Sequence, residues 1–282
     1  MTPTTELLTD AEIDAALSLC RKNRWNQIEN DWRLLLKLSA GGSRRVMQEG
    51  EVIGSVTTIS YQHLFSWIGM LLVDPAYQRQ GVGTRLLTTA LEILKAEETV
   101  KLDATPAGRE LYLQLHFVDE YRLIRMQAIA PVSDEADRYK LVPIEKDFLP
   151  FINGKDQPVF GADRKLLLEA YRDGAPEYAV VAEEKGKITG YCLGRKGYTY
   201  DQVGPIIADD IDIAKSLASA ALRKVNGKPV IIDALLHDGT WVDWLKEIGF
   251  TEQRPFIRMY KGVNRYPGNT GQQFAIAGPE FG

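Results

Sequence analysis

The stretch Leu71-Leu72-Val73-Asp74-Pro75-Ala76-Tyr77-Gln78-Arg79-Gln80-Gly81-Val82-Gly83-Thr84-Arg85-Leu86-Leu87 holds the residue types and spacing best suited to chemistry in this sequence. An apolar run ends at Asp74-Pro75, a short loop carries Gln78, Gly81 and Gly83, and an apolar-faced helix follows at once. A junction of this kind binds anions. The N–H groups of a helix's first turn have no internal partner, and the helix dipole favours negative charge there. Glycines let a phosphate approach the main chain and permit positive φ. Arg79 and Arg85 add positive charge nearby. Spacing excludes two other phosphate loops. The dinucleotide fingerprint Gly-x-Gly-x-x-Gly fails because Leu86 stands where the third glycine is required. No Gly-Lys-Ser/Thr follows, so the loop is not a P-loop. A purely structural glycine turn is the plain alternative, but the strand, Pro75 and the helix agree on an anion site.

Periodicity gives the elements that must position this loop. Thr9 or Asp10 caps a helix running to about residue 21. A second helix is expected over 29–38, stopped by Gly41-Gly42. Strands over 44–48 and 52–60 meet at a tight turn, Glu49-Gly50. A strand over 67–73 leads into the loop. The helix after the loop is expected over 83–96, with Leu86, Leu87, Ala90, Leu91 and Leu94 on one face. A strand over 100–104, a helix over 107–115 and a strand over 121–126 complete the unit.

This order occurs twice. Gly50-Glu51-Val52-Ile53-Gly54 resembles Gly186-Lys187-Ile188-Thr189-Gly190, and Ile68-Gly69-Met70-Leu71-Leu72-Val73 resembles Val203-Gly204-Pro205-Ile206-Ile207-Ala208. Phe117 followed by Ile124-Arg125-Met126 resembles Phe250 followed by Ile257-Arg258-Met259. The offset stays between 133 and 136 residues, which chance similarity would not maintain. From residue 178 the second copy reads hairpin, strand, helix (211–224), strand (230–235), helix (241–248) and strand (255–260). The expected architecture is α/β: two tandem copies of one fold, each a mixed sheet with helices on its faces. They cover residues 1–132 and 138–282, divided near Pro131 and the polar, acidic run 133–138.

At the loop the sequence resembles the GNAT superfamily of N-acetyltransferases, whose acetyl-CoA loop has the pattern Gln/Arg-x-x-Gly-x-Gly/Ala. Gln78-Arg79-Gln80-Gly81-Val82-Gly83 matches it in full. Glu110-Leu111-Tyr112-Leu113-Gln114-Leu115-His116-Phe117 resembles the family helix ending in Tyr-x-x-x-Gly-Phe, with His116 where the family has glycine. Asp103-Ala104-Thr105-Pro106-Ala107-Gly108, the segment 203–208 and the terminal Ala277-Gly278-Pro279-Glu280-Phe281-Gly282 make the whole chain similar to a subgroup with a second GNAT-like domain. The resemblance implies acetyl-CoA as cosubstrate and no metal. Main-chain N–H groups of Gln80, Gly81, Val82, Gly83 and Thr84 would hold the pyrophosphate, with Gln78, Arg79 and Arg85 beside it. Leu71, Leu72 and Val73 would meet the pantetheine arm. An N–H near Leu72 or Val73 would polarise the thioester carbonyl, whose oxygen gains charge as an amine attacks. Tyr112 is the implied general acid for the departing thiolate; a merely packed, half-buried aromatic is the alternative. The family's acidic residue on the strand before the loop is missing, since Trp67, Ile68, Gly69 and Met70 are all non-acidic. The base stays open among Asp31, Asp103, His63, His116 and a water chain. Trp25, Asn26 and Asp31, on or between the helices that border the acceptor site in this family, are substrate-side candidates.

The second copy lacks these features. Ile206-Ile207-Ala208 runs into Asp209-Asp210-Ile211-Asp212 with no glycine before the helix. Those carboxylates would repel a pyrophosphate and suit helix capping instead. Leu245 stands where the repeat would place the tyrosine. Copy two is therefore expected to bind no CoA, and the tail from Gly262 is expected to dock its apolar residues between the lobes, a flexible end being the alternative. A net charge of -4 excludes the basic face of a general nucleic-acid binder. No apolar run approaches the roughly 20 residues of a membrane span, and the start lacks a secretory pattern. Cys20 and Cys192 form no metal or redox motif. The expectation is a cytoplasmic enzyme, monomer or homodimer, acetylating a small-molecule or amino-acid-like amine. A non-catalytic acetyl-CoA sensor or scaffold, and a protein-lysine or N-terminal acetyltransferase, are the alternatives.

Overall fold

The computed structural model describes residues 3–131, 139–237 and 239–282, so the expected linker at 133–138 lies outside the described residues. The first lobe runs β1 (Thr4–Leu7), α1 (Ile13–Lys22), α2 (Glu29–Ser39), β2 (Arg44–Gln48), β3 (Glu51–Tyr61), β4 (Phe65–Val73), α3 (Val82–Ile93), β5 (Thr99–Ala104), α4 (Pro106–Gln114) and β6 (Val118–Ile129). The second repeats that order with β7 (Lys140–Pro143), α5 (Leu149–Phe160), α6 (Lys165–Gly174), β8 (Val180–Glu184), β9 (Lys187–Arg195), β10 (Asp201–Ala208), α7 (Ile211–Arg223), β11 (Pro229–Leu235), α8 (Gly239–Glu247) and β12 (Thr251–Gly262). It then adds β13 (Gln273–Ala275).

Local signals set the first helices. The Glu12 carboxylate accepts from both the N–H and the hydroxyl of Thr9, which starts the turn leading into α1. Asp31 accepts the Ile28 N–H at 2.8 Å and so caps α2 from within its first turn. Ala40, at φ 44°, ends α2. Helix α3 closes at Ile93 rather than 96, because the chain turns at Leu94 and Glu97 is drawn toward His63, 2.8 Å away.

Among the described residues, one mixed sheet of 13 strands runs through both lobes in the order β1-β2-β3-β4-β5-β12-β6-β11-β13-β10-β9-β8-β7. Its centre records an exchange. β12, the last full strand of lobe two, pairs with β5 of lobe one, while β6 of lobe one pairs with β11 of lobe two. The two exchanged strands lie antiparallel against each other along their length. The exchange brings two equivalent ion pairs into register. Arg258 on β12 faces Asp103 on β5, with both N–O distances 2.8 Å; Arg125 on β6 faces Asp233 on β11, with both 2.7 Å. All four side chains are buried. A charged residue inside an apolar strand needs such a partner, and in both of these pairs the partner comes from the other lobe. The lobes also share a core: Trp32, Trp67, Ile152, Tyr171, Tyr191 and Phe281 belong to one buried cluster.

Candidate active site

Lobe one opens where its sheet splays. Strands β4 and β5 run parallel but pair only at Ser66↔Val100 and Trp67↔Lys101. Beyond Trp67 the two strands separate. β4 also bulges, since its register against β3 shifts between Ser55 and Thr57, and Met70 takes φ 47°. A buried non-glycine residue in that conformation is strained, and bulges of this kind re-aim main-chain groups beside active sites. The result is a cleft of about 980 Å³ lined by residues 68–73, the loop and the first turns of α3 and α4.

At the mouth the chain is built for an anion. Asp74 accepts the Ala76 N–H at 3.0 Å and pairs with Lys22 at 2.6 Å, which fixes the turn after β4. The Lys22 ammonium, and then the Ala76 N–H, hold the Asp74 carboxyl below its ordinary value. Arg79 (φ 59°) and Gly81 (φ 82°) turn the loop, and the first intrahelical bond of α3 runs from the Arg85 N–H to the Gly81 carbonyl. The N–H groups of Val82, Gly83 and Thr84 therefore stand ahead of the helical ladder. A Cβ on Gly81 would meet nothing within 4 Å, so the loop faces open space at that point.

Tyr112 stands on the wall formed by α4. Thr105 caps that helix through Gly108 N–H, and Gly108 leaves room for the ring, because a Cβ there would lie 3.2 Å from Tyr112 Cε2. Phe117 packs edge-on against the ring at 5.8 Å. Burial pushes the phenol above its ordinary value, so the group stays neutral and holds its proton. His116 adopts φ 65° in the turn after α4, a conformation glycine enters without cost. The histidine thus keeps the turn and is itself exposed.

The cleft gathers Trp25, Leu71, Leu72, Val73, Gln78, Arg79, Gly81, Gly83, Thr84 and Tyr112 from the expected residues. Others face elsewhere. The Arg85 guanidinium donates to the Pro3 carbonyl, Gln80 donates to the Ala76 carbonyl at 3.0 Å, and the Val82 side chain joins the core of lobe one. Asn26 is spent on the loop of lobe two, binding the Thr199 N–H, the Tyr200 N–H and the Tyr200 carbonyl. Asp31 is buried against Arg195 at 2.7 Å, and burial pushes its carboxyl up to about 6 against the pull of that guanidinium. Among the base candidates, Asp103 lines the cleft but is locked by Arg258, and His63 lies exposed on the turn between β3 and β4. The sequence reading missed Asn23, Thr105, Arg254, Pro279 and Glu280, which also line the cleft. Arg254 and Glu280 come from lobe two; Glu280 is a charge set in an otherwise apolar stretch, whereas Arg254 follows the polar run Thr251-Glu252-Gln253 and carries no such signal.

Lobe two shows the same splay but a filled slot. β10 and β11 pair only at Asp201↔Val230 and Gln202↔Ile231, and β13 enters the gap, with Ala275 pairing both Ile206 and Ala234. The chain's own tail thus lies where lobe one leaves an opening. Asp210 caps α7 through the Ile213 N–H at 2.9 Å, and Asp209 pairs with Lys155 at 2.5 Å. From β13 the tail continues to the junction of the lobes. Trp67 donates to the Pro279 carbonyl, Tyr61 to the Phe281 carbonyl and Tyr171 to the Ala277 carbonyl, at 2.9, 2.7 and 2.9 Å.

Comparison with known proteins agrees with this geometry. The acetyltransferase (GNAT) family pattern matches residues 9–117, and an acetyltransferase (GNAT) domain pattern matches residues 153–275. The chain belongs to the GNAT superfamily. It is a tandem member and an acyltransferase. It is 26% identical, over 98% of its length and 97% of the relative's, to YitH, an uncharacterized N-acetyltransferase of Bacillus subtilis. It is 27% identical to a holothin acyltransferase of a Pseudoalteromonas species, over 91% of each chain. In fold it is similar to an acetyltransferase candidate from Pyrococcus horikoshii, with a TM-score of 0.84, 23% identity and coverage of 99% and 96%. A tandem GNAT protein of clavulanic acid biosynthesis gives a TM-score of 0.67 at 12% identity, covering 92% and 98%. No helix among the described residues is long and apolar enough to cross a membrane, and no group of potential metal ligands occurs among them.

Proposed function

We propose that the protein moves an acetyl group from acetyl-CoA to the primary amine of a small, amino-acid-like molecule, with Tyr112 as general acid. The observation that carries this reading is the asymmetry of the two slots: one is open and ends at an anion-binding helix start, the other is filled by β13. When bound, acetyl-CoA supplies an activated acyl thioester. The N–H groups at Val82, Gly83 and Thr84 take the pyrophosphate, and Arg79 adds charge beside them. The bulge at Met70 frees main-chain N–H groups of the strand to face the acyl oxygen as it gains charge. Tyr112 gives its proton to the departing sulfur. Burial raises this phenol, and the same apolar wall makes a thiolate beside it a stronger base, so the proton still moves toward sulfur.

A small acceptor fits better than a protein side chain. Pro279 and Glu280 wall the end of the cleft near Ile68 and Gly69, whereas a protein acceptor calls for an open groove. The exchange of β6 and β12 within one chain supplies internally the contact a second subunit could offer, which favours a monomer. The test is release of free thiol from acetyl-CoA against a panel of amines and amino acids. Amine-dependent release that falls about a hundredfold or more in Tyr112→Phe is the expected result. Calorimetric binding of acetyl-CoA without release on any member of the panel would point to a sensor instead.

A further inference from the structure

The end of the cleft away from the loop carries two opposite charges with unused bonding capacity. Glu280 is buried and lines the cleft. Its Oε1 accepts from Gln27 at 2.9 Å and from Arg195 at 2.7 Å, while its Oε2 has no hydrogen-bond partner. Arg195 is already shared with Asp31 at 2.7 Å, so two carboxylates meet one guanidinium and a negative charge is left over. A buried carboxylate oxygen without a donor is costly unless something else completes it. Arg254 is the opposite pole. It also lines the cleft, lies over the Trp25 ring at 5.2 Å, and has no hydrogen-bonded or ion-pair partner among the described residues. Burial, and then the neighbouring Arg125, push its guanidinium below the ordinary value, so an anion is the missing partner.

Placement sharpens the point. A Cβ on Gly69 would lie 2.8 Å from the Glu280 carbonyl oxygen and 3.1 Å from its Cα. The tail therefore packs on the β4 position immediately before the bulge and leaves no room there for a side chain. That contact is made by main chain; the Glu280 side chain runs from it to Gln27 and Arg195, with Oε2 left without a donor.

We propose that Glu280 and Arg254 form the acceptor-binding pair, and that the acceptor carries both a primary ammonium and an anionic group, as an α-amino acid does. The ammonium binds Glu280 and the anion binds Arg254. On reaction the amine nitrogen bonds to the acyl carbon as the C–S bond breaks. The nitrogen sheds two protons. One passes to Glu280 and on to water; the other replaces the proton that Tyr112 gave to sulfur. This inference rests on the reading of the protein as an amine acetyltransferase.

The test follows thiol release from acetyl-CoA with matched probes: lysine against cadaverine, tyrosine against tyramine, and phenylalanine against phenethylamine. Wild type, Glu280→Gln, Glu280→Asp and Arg254→Gln are compared, with acetyl-CoA affinity by calorimetry and Tm measured on each. Wild type is expected to prefer the amino acid in the reactive pair. Arg254→Gln should lower kcat/KM for that amino acid about 10- to 100-fold and leave its decarboxylated partner nearly unchanged. Glu280→Gln should lower both at unchanged acetyl-CoA affinity, and Glu280→Asp should recover part of the loss. A wild type that prefers the bare amine, an Arg254→Gln that slows both probes equally, or a Glu280→Gln that loses acetyl-CoA affinity along with turnover would overturn the pair. Turnover of neither class by a wild type that binds acetyl-CoA would overturn the acetyltransferase reading, and this inference with it.

Discussion

The exchange of strands makes a quantitative demand on Arg258. Its guanidinium makes two bonds of 2.8 Å to Asp103, donates to the Tyr121 hydroxyl and lies over the Trp67 ring at 4.6 Å. The side chains of Arg258 and Asp103 are 4% and 0% exposed, so solvent cannot replace either partner. Arg258→Met keeps most of the volume but strands the Asp103 carboxylate, whose value burial already pushes up against the pull of the arginine. Breaking one side of a buried pair costs about 3–5 kcal/mol. For a chain of this size that corresponds to a fall of roughly 6–20 °C in Tm. The equivalent change in the other lobe, Arg125→Met, should cost less, because Asp233 keeps a bond of 2.8 Å from the Gln202 side chain. Removing both partners together, as Arg258→Met with Asp103→Leu, should restore much of the loss. Urea unfolding followed by tryptophan fluorescence, with linear extrapolation, gives the free energies, and calorimetry gives Tm. Both lobes should unfold in one transition. A loss below about 1 kcal/mol for Arg258→Met, a larger loss for Arg125→Met, or two separate transitions would refute the claim that the exchanged strands bind the lobes into one unit.

Other perturbations test the site and its asymmetry. Calorimetric titration with acetyl-CoA should give one site per chain, and two would contradict the filled slot of lobe two. Gly81→Ala meets no atom but forces alanine to φ 82°, so it should cost about 1 kcal/mol of stability while weakening acetyl-CoA binding more than tenfold. Deleting residues 273–282 removes β13 and the bonds from Trp67, Tyr61 and Tyr171 to the tail, so Tm should fall by several degrees or more; an unchanged Tm would mean the tail does not hold the lobes. The Asp74 carboxyl is held below its ordinary value in the folded state, so its contribution to stability is present above about pH 4 and is lost as pH falls through the folded value. Asp74→Asn should therefore unfold less steeply with acid than wild type between about pH 4 and pH 2, as read by urea midpoints at each pH.

Sequence periodicity gives the elements but not their partners. The apolar face of α3 and the turn at Glu49-Gly50 depend on neighbours a few residues away, and both lie where spacing puts them. The loop at Gln78–Gly83 is legible for the same reason, since a helix start is a local object. β6 and β12 are different. Their apolar runs mark them as buried strands, and are silent on whether β6 lies beside β5 or β11. The repeat held a clue in Arg125 and Arg258, each a cation inside an apolar strand that demands a distant counter-charge. Asn26, between the expected helices, and Asp31, on the second of them, turn toward lobe two, because buried polar groups go where partners complete them. Glu280 reaches the cleft through contacts that span more than 200 residues of sequence, as with Trp67 and Pro279, and no local rule reports them.

Why only one of the two lobes keeps an open slot follows from the path of the tail. A splayed sheet exposes strand edges, and an exposed edge must be paired, covered or filled. In lobe one the gap stays open as the cleft. In lobe two it is completed by β13, whose Ala275 pairs on both sides. That pairing has a second effect. It fixes the chain at Ala275 only a few residues before Pro279 and Glu280, so the segment entering the cleft of lobe one starts from a rigid anchor. Arg254 is held equally firmly, because β12 lies between β5 and β6 in the middle of the sheet. The filled slot and the exchanged strand are thus how lobe two delivers a carboxylate and a guanidinium to a cleft it does not itself contain. On the proposed reading, a second copy that binds no cofactor leaves its sheet free to frame the acceptor end of the first.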